Sequence, residues 1–364
     1  MKISGRIVWL CAATLLGLGL LPGGVIAASD AWARAVQTNR VEQNLKGATQ
    51  TSGYWVTDIV TSGTTEDGQR LYLPVVNLNE DFNSFTFAVA SDIHKFAGPY
   101  YDSSSYFRGA VEAIAAHSLS AFIVSPGDMD PPENVLWTIN QVLGSGYRWY
   151  PFLGNHDTDS ADYMQWLRTF DYGTVQPGPF GCPKTTYSFD HGNTHFVMLN
   201  VYCDLAGEDA TYGDIPDHLY NWLVTDLQAT QKEHILVFGH EPAYPLPDAD
   251  TGRVRHLGDS LDADPVHRDR FWNLLVSEGV TAYICGHTHN YSLENFNGVW
   301  QLNVGIASGL GDSEVPSTFS LIYVDGPAIS YETYRDDMYG GPYTLRYQGF
   351  LESGQPIYLP KTSQ

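Results

Sequence analysis

The sequence predicts an α/β fold in which amphipathic helices alternate with the strands of a βαβ-type sheet. From Phe85 onward, short apolar segments of strand length alternate with segments of helical length, which is typical of β–α–β units. Helical spacing of apolar side chains is clearest in Ser104 to His117, Asp217 to Leu227 and Arg268 to Ser277. The 364 residues are 43% hydrophobic and 16% charged, a composition typical of a globular protein with a sizeable core.

The predicted strands share a further feature, because five of them deliver Asp, Asn or His just past the carboxyl end. These strand ends are Thr86–Ser91 before Asp92 and His94, Ala121–Ser125 before Asp128, Trp149–Leu153 before Asn155, His156 and Asp157, Ile235–Phe238 before His240, and Ala282–Cys285 before His287 and His289. In open α/β sheets, ligands bind in the crevice beyond the carboxyl ends of the strands. A single histidine at a strand end is usually structural, but five polar strand ends in one chain indicate a functional site.

The ordered set of strand ends resembles the full signature of the calcineurin-like metallophosphoesterases, from about Phe85 to Arg335. The resemblance implies an αββα sandwich with its active site at the carboxyl ends of the strands, together with a small N-terminal extension. It also implies that one metal ion is bound by Asp92, His94 and His289, that a second is bound by Asn155, His240 and His287, and that Asp128 bridges the two. His156 would then serve as an acid or stabilise the transition state, and Asp157 would orient it.

The implied ligands suit a limited set of metals and one class of reaction. Mixed oxygen and imidazole ligands favour iron, manganese or zinc, as divalent or trivalent ions, over magnesium or calcium alone. Two such ions about 3.5–4 Å apart polarise phosphoryl oxygens and generate a metal-bound hydroxide near neutral pH. The resemblance therefore implies hydrolysis of phosphate monoesters or diesters. The alternative is a non-catalytic metal-binding or ligand-binding secreted protein on the same scaffold.

One position departs from a branch of this superfamily, the purple acid phosphatases. That branch places a metal-binding tyrosine three residues after the bridging aspartate, whereas this chain has Pro131 there. The departure puts the iron–tyrosinate centre of that branch in doubt for this chain.

The net charge of the chain limits the kind of molecule that it is expected to bind. The formal charge of −22 becomes −24 when Lys2 and Arg6 are removed with the predicted signal peptide, and such an acidic chain repels long polyanions. We therefore expect a small phosphorylated substrate and no nucleic acid duplex. The sequence leaves the oligomeric state open.

Contacts to that substrate are predicted in an insertion from Glu241 to Ala263. Arg253, Arg255 and His256 are the candidates, because cationic and imidazole side chains bind phosphate oxygens. A solvated loop with scattered charge is the alternative interpretation of the same residues.

The N-terminus predicts a signal peptide at residues 1–27. Two basic residues precede an apolar run from Ile7 to about Ile26, and small residues in Val25-Ile26-Ala27 fit a cleavage site before Ala28. A membrane anchor is the alternative, because the run is nearly long enough to span a bilayer. We expect a secreted or periplasmic protein without a stable membrane anchor.

The remaining chain is divided by its patterns into three parts. Residues 28–80 predict an N-terminal extension, with a helix from Asp30 to Lys46 and a hairpin formed by Tyr54 to Val60 and Leu71 to Val76. Residues 81–335 are predicted to form the metallophosphoesterase domain, and residues 336–364 a C-terminal tail.

The predicted compartment bears on the oxidation state of the cysteines. A disulfide between Cys182 and Cys203 is plausible under oxidising conditions. Cys285 lies inside an apolar strand and is expected to be a buried free thiol.

Overall fold

A computed structural model describes residues 42–51, 54–64, 70–75, 83–94, 101–117, 120–204, 212–312 and 314–353. The chain divides into two compact units, residues 1–79 and residues 80–364. The predicted signal peptide and the first part of the predicted N-terminal helix lie outside the described residues. Within the described part of the chain, no helix combines the length and the hydrophobicity that a bilayer-spanning helix needs.

The first unit contains an antiparallel sheet of three strands, β1 (Glu42–Thr51), β2 (Tyr54–Thr64) and β3 (Arg70–Val75), in that order. Strands β2 and β3 pair as neighbours, with Ser62 opposite Tyr72. The helix predicted up to Lys46 is wrong for residues 42–46, because these residues belong to β1, and residues 42–45 pair with β2. Cross-strand hydrogen bonds thus override a weak local helical preference.

The second unit contains two sheets. The first has six strands in the order β16-β15-β14-β4-β5-β6, and the second has seven in the order β12-β13-β11-β10-β9-β8-β7. The six-stranded sheet is formed by β4 (Ser84–Val89), β5 (Phe122–Pro126), β6 (Arg148–Phe152), β14 (Thr318–Asp325), β15 (Ala328–Arg335) and β16 (Thr344–Ser353). The seven-stranded sheet is formed by β7 (Gln176–Pro177), β8 (Tyr187–His191), β9 (Thr194–Leu199), β10 (His234–Gly239), β11 (Ala282–Cys285), β12 (Tyr291–Phe296) and β13 (Val299–Val304).

Five α-helices are described in this unit. They are α1 (Phe107–His117), α2 (Pro132–Leu143), α3 (Ala161–Thr169), α4 (Asp217–Ala229) and α5 (Pro265–Ser277). Helix α5 shows how the sequence sets a helix start: the Asp264 carboxylate accepts hydrogen bonds from the backbone N–H groups of Val266 and His267. Pro265 follows in the first turn, where its missing N–H is not needed.

Two hydrophobic clusters give the unit its layers. One cluster combines side chains from both sheets, and in it the ring of Phe87 packs edge-on against Phe196 at 5.2 Å. The other combines the opposite faces of the strands with the helices, for example Val111 and Leu223. Successive residues of one strand therefore pack into different clusters, as Phe87 and Ala88 do. The predicted α/β fold, with an αββα sandwich, is confirmed.

The predicted C-terminal tail needs a correction. Residues 344–353 form β16, which pairs antiparallel with β15 at the edge of the six-stranded sheet. Leu351 is buried there, and the carboxylate of Glu352 lies 2.9 Å from Nδ1 of His234. These contacts make residues 344–353 part of the domain.

The cysteines lie as expected. Cys182 and Cys203 form a disulfide, and Cys285 is a buried free thiol in β11.

A buried histidine makes the stability of the second unit dependent on pH. The ring of His195 lies between Asp190 at 2.7 Å and Asp226 at 2.9 Å. Burial opposes protonation of the ring, but the hydrogen bonds to Asp226 and Asp190 outweigh it and raise the pKa of His195. Because the folded state binds the proton more tightly, the stabilisation is complete below the ordinary value of 6.5 and is lost as the pH rises through the raised pKa.

His195→Asn should therefore reduce the free energy of unfolding more in acid than in alkali. The deficit should be about 2 kcal/mol at about pH 5.5, since a charge-assisted hydrogen bond contributes that much, and it should shrink by about pH 9. Urea unfolding of both proteins across this range measures it. A deficit that stays constant across the range would contradict the assignment.

Candidate metal centre

The candidate site lies where the carboxyl ends of five strands from both sheets meet. Strands β4, β5 and β6 run parallel in one sheet, and β10 and β11 run parallel in the other. The side chains predicted from the sequence follow these ends directly: Asp92 and His94 after β4, Asp128 after β5, Asn155 and His156 after β6, His240 after β10, and His287 and His289 after β11.

The backbone at the site is strained in a recurrent way. Asp92, Asp128, His287 and His289 all have positive φ angles, of 55°, 57°, 68° and 60°. Such angles are uncommon for residues other than glycine and concentrate at functional sites. Each of them turns a side chain sharply at the end of its strand.

Glycines allow the strand ends to approach one another. A Cβ atom on Gly286 would collide with the side chains of Ser91 and Asp92, and one on Gly154 would collide with Asp128. The loop after β11 can therefore lie against the loop after β4 only because residue 286 has no side chain.

Asp92, His94 and His289 form the first half of the centre. Their donor atoms all lie within 4.8 Å of one another, and all three residues are buried. Nε2 of His94 is 3.1 Å from Nε2 of His289, which is 3.6 Å from a carboxylate oxygen of Asp92. Two imidazole nitrogens and a carboxylate converging on one point are a donor set that fits a metal ion.

The second half is formed by Asn155, His240 and His287. The side-chain oxygen of Asn155 lies 3.1 Å from Nε2 of His240 and 3.2 Å from Nδ1 of His287. The two rings are 5.1 Å apart. This half also presents one oxygen and two nitrogen atoms, but its oxygen comes from a neutral amide.

Asp128 lies between the halves. Its Oδ2 atom is 3.4 Å from Nε2 of His94 and 3.2 Å from Nε2 of His240. The carboxylate thus contacts one histidine of each half, the position that a bridging ligand needs.

The electrostatics of the site favour positive charge. Burial opposes ionisation of Asp128, but the neighbouring His240 outweighs it and lowers the pKa of that carboxyl. Burial likewise opposes protonation of His94 and His240, yet nearby carboxylates raise their pKa values to about 9 and about 10. Because buried carboxylates require compensating charge, the side chains present fit a pair of metal cations.

Three further residues hold the histidine rings, and no pattern in the sequence predicts them. Asp130 accepts from Nδ1 of His94 at 3.0 Å, Asp312 lies 2.9 Å from Nδ1 of His289, and the backbone oxygen of Pro126 lies 2.6 Å from Nδ1 of His240. In each case the other ring nitrogen, Nε2, is left to face the centre.

The role predicted for Asp157 needs a correction. Its fully buried carboxylate accepts hydrogen bonds from the backbone N–H groups of Asp128, Met129 and Gly154. Burial and the charge of Asp128 raise its pKa to about 7, against the effect of these bonds. Asp157 thus joins the loops after β5 and β6 and does not orient His156.

His156 is the most accessible of the predicted site histidines, with 45% of its side chain exposed. Its backbone N–H donates to Asp128, and its ring meets that of His94 edge-on at 4.8 Å. Nδ1 lies 3.1 Å from Asp159, three residues along the same 3₁₀ turn. The ring therefore borders the centre without being enclosed by it, and the carboxylate beside its Nδ1 is that of Asp159 and not that of Asp157.

The three predicted substrate contacts differ in position. His256 lies beside the centre, with its ring 4.0 Å from that of His287. Nη1 of Arg255 is 2.6 Å from Nδ1 of His289. The substrate contact predicted for Arg253 needs a correction. Its guanidinium donates hydrogen bonds to Asn290, Asp312, Glu314 and the backbone oxygen of Thr288, and these bonds stabilise the loop.

Comparisons with known proteins agree with this geometry. The calcineurin-like phosphoesterase family model matches residues 85–291. The chain is similar to tartrate-resistant acid phosphatase type 5 of Mus musculus, with 32% identity over 211 residues that cover 53% of this chain and 58% of that protein. The chain therefore spans somewhat more than half the length of such relatives.

Solved structures show the same fold. The purple acid phosphatase PPD1 of yellow lupin (Lupinus luteus) has a TM-score of 0.50 and 12% identity, covering 79% of this chain and 58% of that chain. PhoD has a TM-score of 0.52 and 11% identity, covering 82% of this chain and 77% of that chain. At these identities, the likeness concerns the fold alone.

Asp157→Ala should destabilise the protein strongly, because three buried N–H groups lose their acceptor. We expect the free energy of unfolding to fall by about 3 kcal/mol. Asp159→Ala is the matched control, because its carboxylate is 72% exposed, and it should change stability by less than about 0.5 kcal/mol. Urea unfolding in the presence of a chelator measures both effects without a contribution from bound metal. Equal losses in the two variants would refute the role given to Asp157.

Proposed function

The chain belongs to the calcineurin-like phosphoesterase family, and from this premise we propose that it hydrolyses small phosphate esters at a dinuclear metal centre. The observation that carries the proposal is the placement of Asp128 between two sets of donor atoms, in contact with His94 on one side and His240 on the other. A carboxylate shared between two metal ions explains why a fully buried aspartate occupies that point.

The metal ligands are proposed residue by residue. Asp92, His94 and His289 would hold one ion, Asn155, His240 and His287 the other, and Asp128 would contact both. When bound, iron, manganese or zinc ions at these positions would supply Lewis acidity to the phosphoryl group and to a water molecule. The purple acid phosphatase tyrosine has no counterpart at Pro131, so this proposal does not include a tyrosinate ligand.

His156 is proposed to act on the substrate. Its half-exposed ring borders the centre, and the carboxylate of Asp159 accepts from Nδ1, which leaves Nε2 free to hold or donate a proton. A positioned imidazole can protonate a leaving-group oxygen or stabilise charge on the phosphoryl oxygens.

Arg255 and His256 are proposed to contact the phosphate. Arg255 can only donate, and Asp312 can only accept, yet both lie within hydrogen-bond distance of Nδ1 of His289. A His289 ring that binds metal through Nε2 carries its hydrogen on Nδ1, which suits Asp312 and not Arg255. The guanidinium of Arg255 would then turn away from His289 and could bind a phosphate oxygen.

Charge supports a small substrate. With a formal charge of −22, the protein repels polyanions at long range, whereas metal ions in the pocket attract a single phosphate group locally. We therefore propose a small phosphorylated molecule as the substrate.

The activity can be tested directly. Nitrophenyl phosphate and bis(nitrophenyl) phosphate should be offered to protein loaded with manganese, iron or zinc, and hydrolysis of one or both is expected. Stripping the metal should abolish turnover, and adding it back should restore it. Protein that binds two metal ions and cleaves neither ester, nor alkyl phosphates, would instead be a non-catalytic metal-binding protein on this scaffold.

His156→Ala should separate catalysis from metal binding. Turnover should fall by about 100- to 10,000-fold, the usual effect of removing a positioned acid or base, while elemental analysis should still find both metal ions. If the imidazole donates a proton, alkyl esters should slow more than nitrophenyl esters, because nitrophenolate departs unaided. His117→Ala, an exposed histidine outside the site, is the control. Unchanged turnover of His156→Ala on every substrate would exclude the catalytic role.

Export is the last part of the proposal. The disulfide between Cys182 and Cys203 suits an oxidising compartment, and the predicted signal peptide would direct the chain there. Protein from the native host should therefore begin near Ala28 and carry this disulfide, which intact-mass measurement can determine. A mass that includes residues 1–27 would contradict export with cleavage.

A further inference from the structure

The two halves of the centre differ in the groups that lie beside their histidine rings on the side away from the centre. We propose that Asp130 and Asp312 are positioning residues that make the half formed by Asp92, His94 and His289 retain its metal ion more strongly than the half formed by Asn155, His240 and His287. The proposal rests on the dinuclear centre of the proposed function, but it concerns metal retention and not turnover.

Asp130 fixes the first ring. It accepts from Nδ1 of His94 at 3.0 Å, and Nε2 of the same ring lies 3.4 Å from Asp128 and 3.1 Å from Nε2 of His289. The carboxylate of Asp130 is only 25% exposed, so water weakens this contact little. The ring is thereby held in the tautomer whose Nε2 lone pair faces the centre.

Asp312 fixes the second ring. Its Oδ2 lies 2.9 Å from Nδ1 of His289 and 2.7 Å from Nη1 of Arg253, so the arginine holds the carboxylate in place behind the imidazole. Only 14% of the Asp312 side chain is exposed. Arg255 competes for the same Nδ1, but as a donor it fits only the tautomer that cannot bind metal through Nε2.

Among the residues that the structure describes, no carboxylate lies behind the histidine rings of the other half. Nδ1 of His240 faces a neutral backbone oxygen, that of Pro126, at 2.6 Å. His287 presents Nδ1 to the centre, and its buried Nε2 finds no hydrogen-bond partner among the residues that the structure describes.

The charge of the proposed ligands also differs between the two halves. The first half has the carboxylate of Asp92 where the second has the amide of Asn155. A carboxylate behind a metal-bound imidazole makes the ring a more basic ligand and fixes its orientation, and removing such a partner typically weakens metal binding by about 10- to 100-fold. In the described part of the chain, two such carboxylates support the first half and none supports the second, so loss of metal should be sequential.

The test follows metal release from protein loaded with two equivalents of zinc. Under a graded EDTA challenge, elemental analysis should show one equivalent leaving at least about 10-fold faster than the other. Asp130→Asn and Asp312→Asn should each speed the slow step by about 10- to 100-fold and leave the fast step unchanged. His287→Ala should lose the fast equivalent and keep the slow one, which identifies the half that each step reports.

Asp226→Asn is the matched control, because Asp226 also accepts from a histidine, His195, away from the centre. It should leave both steps unchanged. Because Asp312 also pairs with Arg253, its variant is sensitive to misfolding, so circular dichroism should accompany each measurement. Asp130→Asn, whose partner is His94, tests the proposal independently.

Release of both equivalents in a single step from the parent protein would overturn the proposal, as would an unchanged slow step in Asp130→Asn. Turnover is measured separately. Active protein with single-step release would refute this inference and leave the proposed function standing. Protein that is inactive but releases its metal in two steps, with a slow step that Asp130→Asn accelerates, would support this inference and refute the proposed function.

Discussion

The burial of two carboxylates at one point is the constraint on which the rest of the structure depends. Asp92 and Asp128 are fully or almost fully buried at adjacent strand ends. Ionised carboxylates in such a place are strongly unfavourable unless cations compensate them. The surrounding histidines meet part of this demand, since carboxylates raise the pKa values of His94 and His240 far above the ordinary range. Metal cations meet it more completely, because one ion compensates several ligands at once.

That constraint dictates the local backbone. To bring Asp92, Asp128 and His287 to one point, the chain adopts positive φ at each of them, at a free-energy cost of about 1–3 kcal/mol per residue. Compensation comes from hydrogen bonds between the loops themselves. Asp157 ties Asp128 and Gly154 together through backbone hydrogen bonds, and the backbone N–H of His287 donates to the carboxylate of Asp92. Part of the geometry of the centre is therefore held by hydrogen bonds between the loops themselves.

The positions of the proposed metal ligands could be predicted from the sequence and those of the groups behind them mostly could not, and the reason is physical. Each ligand follows an apolar strand directly, so a local pattern places it at the shared edge of a sheet. Asp312 lies 23 residues beyond His289, and only the path of the intervening hairpin brings it behind the ring. The resemblance implies an orienting role for Asp157, whereas the carboxylate that lies beside Nδ1 of His156 belongs to Asp159. Strand β16 was missed because two register shifts in its pairing with β15 break the alternation of apolar residues.

The proposed substrate contacts lie in a different part of the chain, the loop between β10 and α5, and that loop is also fixed by buried charge. Arg335 is fully buried at the end of β15, with Nη2 2.7 Å from Asp248 and Nη1 3.0 Å from Asp250. Burial opposes ionisation of Asp248, but Arg335 outweighs it and lowers the pKa of that carboxyl. Breaking such a pair leaves an uncompensated buried charge, so the loop is anchored to β15 at Asp248. The loop thus places Arg255 and His256 beside the centre, which is the position that the proposed phosphate contacts need.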